Sequence, residues 1–175
     1  MPKKGLDSAK LGFYSRTGRF KLIHIFTLQS GWILYKNLLV VVDLSSEAKL
    51  VLKKAMTMAE KNAQVLLVHV VEPLITESPY ELAPLVSLDV EQQLVKRGES
   101  FLQSLVADLD AKHVKSQVLL GSVKGEILNF AQSNSVDLIV VGTHGRHGLG
   151  ILLGSTANAI LHGTPCDVLA VRVGE

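Results

Sequence analysis

The sequence predicts an α/β fold, an open parallel sheet with helices on both faces. Three observations lead there. Short unbroken apolar runs recur along the chain, as strands buried on both faces do. Longer segments between them carry their apolar residues at helical spacing. The two kinds alternate, and that alternation makes a parallel sheet with right-handed crossovers.

Asn37-Leu-Leu-Val-Val-Val-Asp43 is the first apolar run and ends in a carboxylate. Ser45 or Ser46 is placed to cap the helix that follows, with Glu47 in its first turn. Ala48, Val51, Leu52, Ala55, Met58 and Ala59 form its buried stripe, with Lys49, Lys53, Lys54 and Glu60 off that face. Gln64 to Val71 is the second strand. Glu72 to Leu88, with Pro73, Pro79 and Pro84, reads as a long loop after its carboxyl end.

Asp89 to Asp110 reads as the longest helix, with Val90, Leu94, Phe101, Leu102, Leu105, Val106 and Leu109 inward and Gly98 as an interruption. Val114 to Leu120 is the third strand. Gly121 and Ser122 turn into a helix carrying Ile127, Leu128 and Ala131, which Asn134 and Ser135 end. Leu138 to Val141 is the fourth strand, Ser155 to His162 a short helix, and Val168 to Val173 the fifth strand.

With 175 residues, 47% of them hydrophobic, the chain suits one well-buried domain. Residues 1–36 do not share its pattern. They hold seven basic residues against one acid, whereas residues 37–175 hold 11 basic and 15 acidic. This basic extension reads as a flexible tail; an organelle-targeting peptide or a membrane-surface arm is the competing reading. Phe20, Phe26 and Trp32 favour some packing on the body. The mildly acidic body does not suggest nucleic-acid binding. No apolar run reaches the roughly 18 residues of a membrane span. The lone cysteine, Cys166, forms no intramolecular disulfide and fits a reducing cytoplasm; a small packed residue is its expected role.

The stretch that carries chemistry follows the fourth strand. Gly142-Thr-His-Gly145-Arg-His-Gly148-Leu-Gly150 leaves the strand's carboxyl end, and Leu153-Gly-Ser-Thr156 opens the next helix. Such a loop turns backbone amides, a helix dipole and the Ser155 and Thr156 hydroxyls towards one point, a cradle for phosphate. Glycines at 142, 145 and 154 permit close approach of a ligand, and His144, Arg146 and His147 add donors. The competing reading is a plain long turn. Open parallel sheets bind ligands beyond the carboxyl ends of their strands, where strand order reverses. If the first and fourth strands are neighbours, Asp43, Val70 and Gly142 converge there. The first strand is not followed by Gly-x-Gly-x-x-Gly, and no Gly-x-x-x-x-Gly-Lys-Ser/Thr occurs, so a dinucleotide fold and a P-loop phosphotransferase are both excluded.

Tyr35-Lys-Asn-Leu-Leu-Val-Val-Val-Asp43-Leu-Ser, Leu67-Val-His69-Val70, Asp137-Leu-Ile-Val-Val-Gly-Thr-His-Gly145, Leu153-Gly-Ser155 and Pro165-Cys-Asp-Val-Leu-Ala-Val-Arg172 resemble the universal stress protein family, in its bacterial A-type branch. The likeness covers Tyr35 to Arg172. It implies five strands in the order 3-2-1-4-5, the Rossmann-like arrangement of the adenine nucleotide alpha hydrolase type. It further implies a cytoplasmic homodimer, often paired through the last strand, with a role in surviving stress. ATP-binding members carry Gly-x2-Gly-x9-Gly-Ser/Thr. By position, Asp43 and Val70 would contact adenine, Gly142 the ribose, and His144, Gly145, Gly154 and Ser155 the ribose and phosphates of ATP, with Mg as counter-ion. Between Gly145 and Gly154 this chain has eight residues rather than nine.

Asp43 has a competing role as a strand-end acid capping the next helix. Asp137 precedes its strand and belongs at the opposite end of the sheet. His69 reads as a satisfied core histidine. No catalytic residue and no metal ligand is assigned, and any ATP hydrolysis is expected to be slow and incidental. Two other readings remain: a nucleotide-free dimeric interaction protein, which the shortened loop permits, and an adenylating or phosphate-transferring enzyme using the Glu72 to Leu88 loop.

Overall fold

A computed structural model describes residues 11–14, 20–23, 34–73, 83–144, 157 and 160–173. The elements run in the order β1 (Leu11–Tyr14), β2 (Phe20–Ile23), β3 (Tyr35–Val41), α1 (Ala48–Met58), β4 (Ala59–Val71), α2 (Ala83–Asp108), β5 (Val114–Leu120), α3 (Val123–Ser133), β6 (Leu138–His144) and β7 (Asp167–Val173). They form one sheet in the order β2-β1-β7-β6-β3-β4-β5. The five strands from β7 to β5 are parallel throughout and give the expected 3-2-1-4-5 order. β1 adds antiparallel to the outer edge of β7, and β2 pairs antiparallel with β1.

Alternation along the strands divides the core into two apolar layers, because successive side chains point to opposite faces. Leu38, Val40, Val65, Leu67, Leu138, Val140, Leu169 and Val171 face α1 and α2, and meet Val51, Leu52, Ala55, Leu102 and Leu105. Leu39, Val41, Leu66, Val68, Ile139, Val141, Val168 and Ala170 face the other way, onto Ile127 and Ala131 of α3 and onto Ala157 and Ile160. Ala157, Ile160 and Leu161 are helical, inside the short helix expected there.

Several boundaries differ from the sequence reading. α2 begins at Ala83, so Leu88 belongs to a helix and the expected loop is cut from its C-terminal side; residues 74–82 of that loop lie outside the described residues. Pro84 near the start of a helix forfeits no hydrogen bond, since first-turn amides have no intrahelical partner. α1 is not capped by Ser45 or Ser46: Glu47 occupies the N-cap position without a side-chain cap bond. Ser45 is drawn away, its hydroxyl donating to Asp43 Oδ1 at 2.5 Å and its amide to the same oxygen at 3.3 Å. The Ser46 hydroxyl instead donates to Glu47 Oε2 at 3.0 Å. Ser122 does cap α3 as expected, accepting from the Gly125 amide at 3.3 Å. Asn134 and Ser135 end α3 as expected; Ser135 takes a positive φ of 51°, so that the Val136 amide can reach back to the Ala131 carbonyl.

A polar lock holds the amino ends of the central strands. Asp137 accepts the Lys36 and Asn37 amides on its two carboxylate oxygens at 2.9 and 3.0 Å. The Asn37 side-chain amide donates to the Ser135 carbonyl at 3.1 Å. Tyr35, buried at the start of β3, donates its hydroxyl to Asp167 Oδ2 at 2.9 Å. Burial, and then this carboxylate, push the Tyr35 phenol well above its ordinary range. Cys166, half-buried beside Thr164, has its thiol pushed up by burial, in keeping with a packing role.

Gly98 lets α2 lie close to the sheet. A Cβ there would stand 3.0 Å from Val118 Cγ2 and 3.2 Å from His69 Cδ2. Gly98→Ala therefore sets a helix-propensity gain of about 1 kcal/mol against overpacking of about 1–3 kcal/mol. The expected outcome is a net loss of about 1 kcal/mol in urea unfolding, opposite in sign to the same change on an exposed helix face. Tyr35 predicts an alkaline effect. Because the folded state keeps the phenol proton to higher pH than the unfolded state, stability falls as pH rises above about 10, by at most about 1.4 kcal/mol per pH unit. Tyr35→Phe should flatten that part of the profile in equilibrium unfolding against pH, and should reduce stability by about 1–2 kcal/mol at neutral pH through the lost hydrogen bond.

Candidate functional site

β3 is the strand at which the order reverses. β4 follows it on one side, while β6, much later in the chain, pairs with it on the other. Crossovers therefore leave β3 and β6 in opposite directions. In open parallel sheets a reversal of this kind is where ligands bind, beyond the carboxyl ends of the strands.

Register sets which residues reach this rim. Val41 pairs with Val68 of β4 and with Val141 of β6. Two residues further on, Asp43, Val70 and Thr143 stand at one level, with Gly142 just beneath. The sequence-predicted residues Asp43, Val70 and Gly142 are thus brought to adjacent strand ends, as expected. His144 is the last residue of β6, so its backbone lies at the same rim. Gly145, Gly154, Ser155 and Thr156, with Arg146 and His147, lie outside the described residues. Asp137 is seven residues back from His144, at the far end of β6.

Two of these positions have local partners that the sequence did not reveal. The Asp43 carboxylate holds Ser45 in the turn before α1 through the paired bonds given above; it does not cap that helix, whose N-cap position is taken by Glu47 without a side-chain cap bond. Gly142 is closely packed: a Cβ there would stand 3.3 Å from Val51 Cγ2 and 3.6 Å from Val173 Cγ1, so Val51 would have to give slightly. Beside it, the Thr143 hydroxyl donates to the Val171 carbonyl at 3.2 Å.

His69 belongs to this rim more closely than a core histidine need. The β3–β4 ladder ends with the Val42 amide donating to the Val68 carbonyl at 3.0 Å. The Val42 carbonyl lies 3.0 Å from His69 Nδ1. A carbonyl can only accept, so this contact fixes the tautomer with the proton on Nδ1. The imidazole thereby ties the β4 end to the residue immediately before Asp43. A histidine preceding a strand's last two residues was its only sequence signal. Among the described residues, no group of three His, Cys, Asp or Glu is placed to hold a metal ion, and no helix is long and apolar enough to cross a membrane.

The universal stress protein family model matches residues 34–172. The chain belongs to the universal stress protein family. Universal stress protein A homolog 2 of Coxiella burnetii is 42% identical over 143 residues, covering 79% of this chain and 96% of that protein. Homolog 1 of the same organism is 38% identical over 142 residues, covering 81% and 99%. Among solved structures, universal stress protein UspA from Lactobacillus plantarum superposes with a TM-score of 0.62 at 30% identity, covering 79% of this chain and 99% of that one. A universal stress protein solved in complex with cAMP shares the fold with a TM-score of 0.55 at 21% identity, covering 79% and 97%.

The His69 contact yields a prediction. His69→Leu keeps apolar bulk but removes the donor to the Val42 carbonyl, and is expected to lower stability by about 1–2 kcal/mol. Hydrogen exchange should report faster opening at the end of β3 than in its middle, because the change acts on the rim rather than on the whole sheet.

Proposed function

We propose that this universal stress protein is an adenine-nucleotide-binding module of the stress response, with ATP as its ligand. The observation that carries this reading is the meeting of Asp43, Val70 and Gly142 on adjacent strand ends at the point of reversal, directly before the glycine-rich loop. Adenine would lie across the ends of β3 and β4, between Asp43 and Val70. The ribose would sit by Gly142 and His144. The phosphates would fall to the backbone amides of Gly145 and Gly154 and to the hydroxyls of Ser155 and Thr156. Magnesium would arrive on the phosphate oxygens rather than in a cage of side chains. The related protein solved with cAMP supports an adenine nucleotide as the ligand class.

In this reading the chain is a cytoplasmic binding protein and not a dedicated enzyme. The reading gives the amides and hydroxyls of the glycine-rich loop the task of holding charge and assigns no general base. Occupancy would act by stabilising one conformation of the loop, and so by changing what the rim presents to a partner. A homodimer through the last strand, which the family resemblance implies, would need the outer edge of β7, and β1 lies along that edge here. The specific observation that favours the second reading, a nucleotide-free interaction protein, is the spacing of eight residues between Gly145 and Gly154. A shorter loop moves its amides, although Gly148 and Gly150 can absorb the change through their wider conformational range.

The test is a thermal melt with and without millimolar ATP, paired with mass spectrometry of whatever the purified protein releases on denaturation. A ligand that binds only the native state must raise its stability, by about 2.7 kcal/mol at a hundredfold excess over Kd. Adenine nucleotide in the supernatant and a raised melting temperature are expected. Gly154→Val should abolish the rise while leaving the melt without ATP unchanged. Equal melting temperatures for the native protein, together with an empty supernatant, would select the nucleotide-free reading.

A further inference from the structure

The outer edge of β7 is not free in this chain. β1 runs antiparallel along it, with Gly12 opposite Ala170, Phe13 opposite Leu169 and Tyr14 opposite Val168. The geometry of β7 shows what this contact covers. The Asp167 amide donates to the Asp137 carbonyl of β6, so amides of alternate residues from Asp167 turn towards β6. Those of Val168, Ala170 and Arg172 turn towards the other edge. Left bare, that edge is a row of unpaired donors and acceptors on an apolar strand, a template for another strand.

We infer that β1, braced by β2, is a cap in cis on β7, and that the strand it excludes is β7 of a second copy of this chain. Three observations support the assignment. The family match begins at residue 34, and its Coxiella relative is covered to 96% by the match, so β1 and β2 are additions to the family's sheet. An edge strand can pair with its own copy about a twofold axis, with the same residues contributed from each side; Val168 to Val173 is long enough for that. Finally, the segment bearing β1 and β2 is strongly basic while residues 37–175 carry a net negative charge. That complementarity favours docking of the hairpin on its own body, where its effective concentration is highest. With the cap in place, two copies do not join through β7; with the cap removed, they do.

The experiment uses the full chain. Successive amides of β1 point to opposite neighbours, so Gly12→Pro with Phe13→Pro removes one donor towards β7 and one towards β2. Light scattering at equal protein concentration should show the molar mass of this double variant at twice that of the intact chain. Adding Arg172→Pro, which removes an outward amide of β7 and leaves the β6 ladder intact, should return the mass to that of the intact chain. An unchanged mass in the double variant would overturn the inference, as would a doubled mass that survives Arg172→Pro. Loss of the folded state on substitution of Gly12 and Phe13, read by circular dichroism, would also overturn it, because β1 would then be part of the fold rather than a cap. None of these outcomes depends on nucleotide binding.

Discussion

The pairing of β3 with β6 is the constraint on which the molecule depends. These strands are far apart in sequence and central in the sheet, and closing so long a segment of chain is favourable only when the contacts it brings are strong. Asp137 supplies the polar part of that contact at the outset of both strands. Its two oxygens accept consecutive amides at the beginning of β3, an arrangement possible only at one register. A slip by one residue would turn every side chain of β6 to the opposite layer. The apolar runs supply the rest: Leu38, Leu39 and Val40 are wholly inaccessible to solvent, as are Leu138, Ile139 and Val140 opposite them. Once this pair is fixed, the reversal of strand order beside it follows, and with it the place where an open parallel sheet takes a ligand.

Much of the fold was legible because strands buried on both faces must be apolar without interruption. Asn37 to Asp43 and Asp137 to Val141 could hardly be anything else. Helix starts were less legible, for a physical reason. Ser45 is a good cap by type, but a carboxylate two residues earlier competes for its hydroxyl and amide, and the outcome depends on where the end of β3 leaves Asp43. β1 and β2 were not legible at all. Each is a strand of four residues; Lys21 breaks the apolar run of one and Gly12 that of the other, and pairing, of β1 with β7 and of β2 with β1, is what makes them strands. Strand propensity is mostly a measure of such context.

The site was legible in position but not in detail. That Asp43, Val70 and Gly142 end up together needed only the neighbouring of the first and fourth strands. What each touches needed tertiary structure. Gly142 shows why: the same missing Cβ that would admit a ribose also admits Val51 from α1 and Val173 from β7. A glycine in a sequence records that something comes close, without recording whether it is a ligand or a neighbouring side chain. Asp43 is similar, since its bonds to Ser45 orient a carboxylate at the rim and shape the turn before α1.

The two ends of the sheet divide the labour. At the amino end, Tyr35, Asp137, Asn37 and Asp167 bind strands to one another through specific hydrogen bonds, and their loss acts on global stability. At the carboxyl end β3 parts from β4 after the Val42 amide bonds the Val68 carbonyl, and the His69 imidazole spans from β4 to the Val42 carbonyl. The outer pairs run on, β6 with β7 as far as His144 and Val173 and β4 with β5 as far as Val71 and Leu120. The parting is confined to the central pair, so a change there can act locally without unfolding what lies beneath it. Substitutions at the two ends should therefore leave different marks, those at Asp137 on global unfolding and those at His69 on local opening at the end of β3.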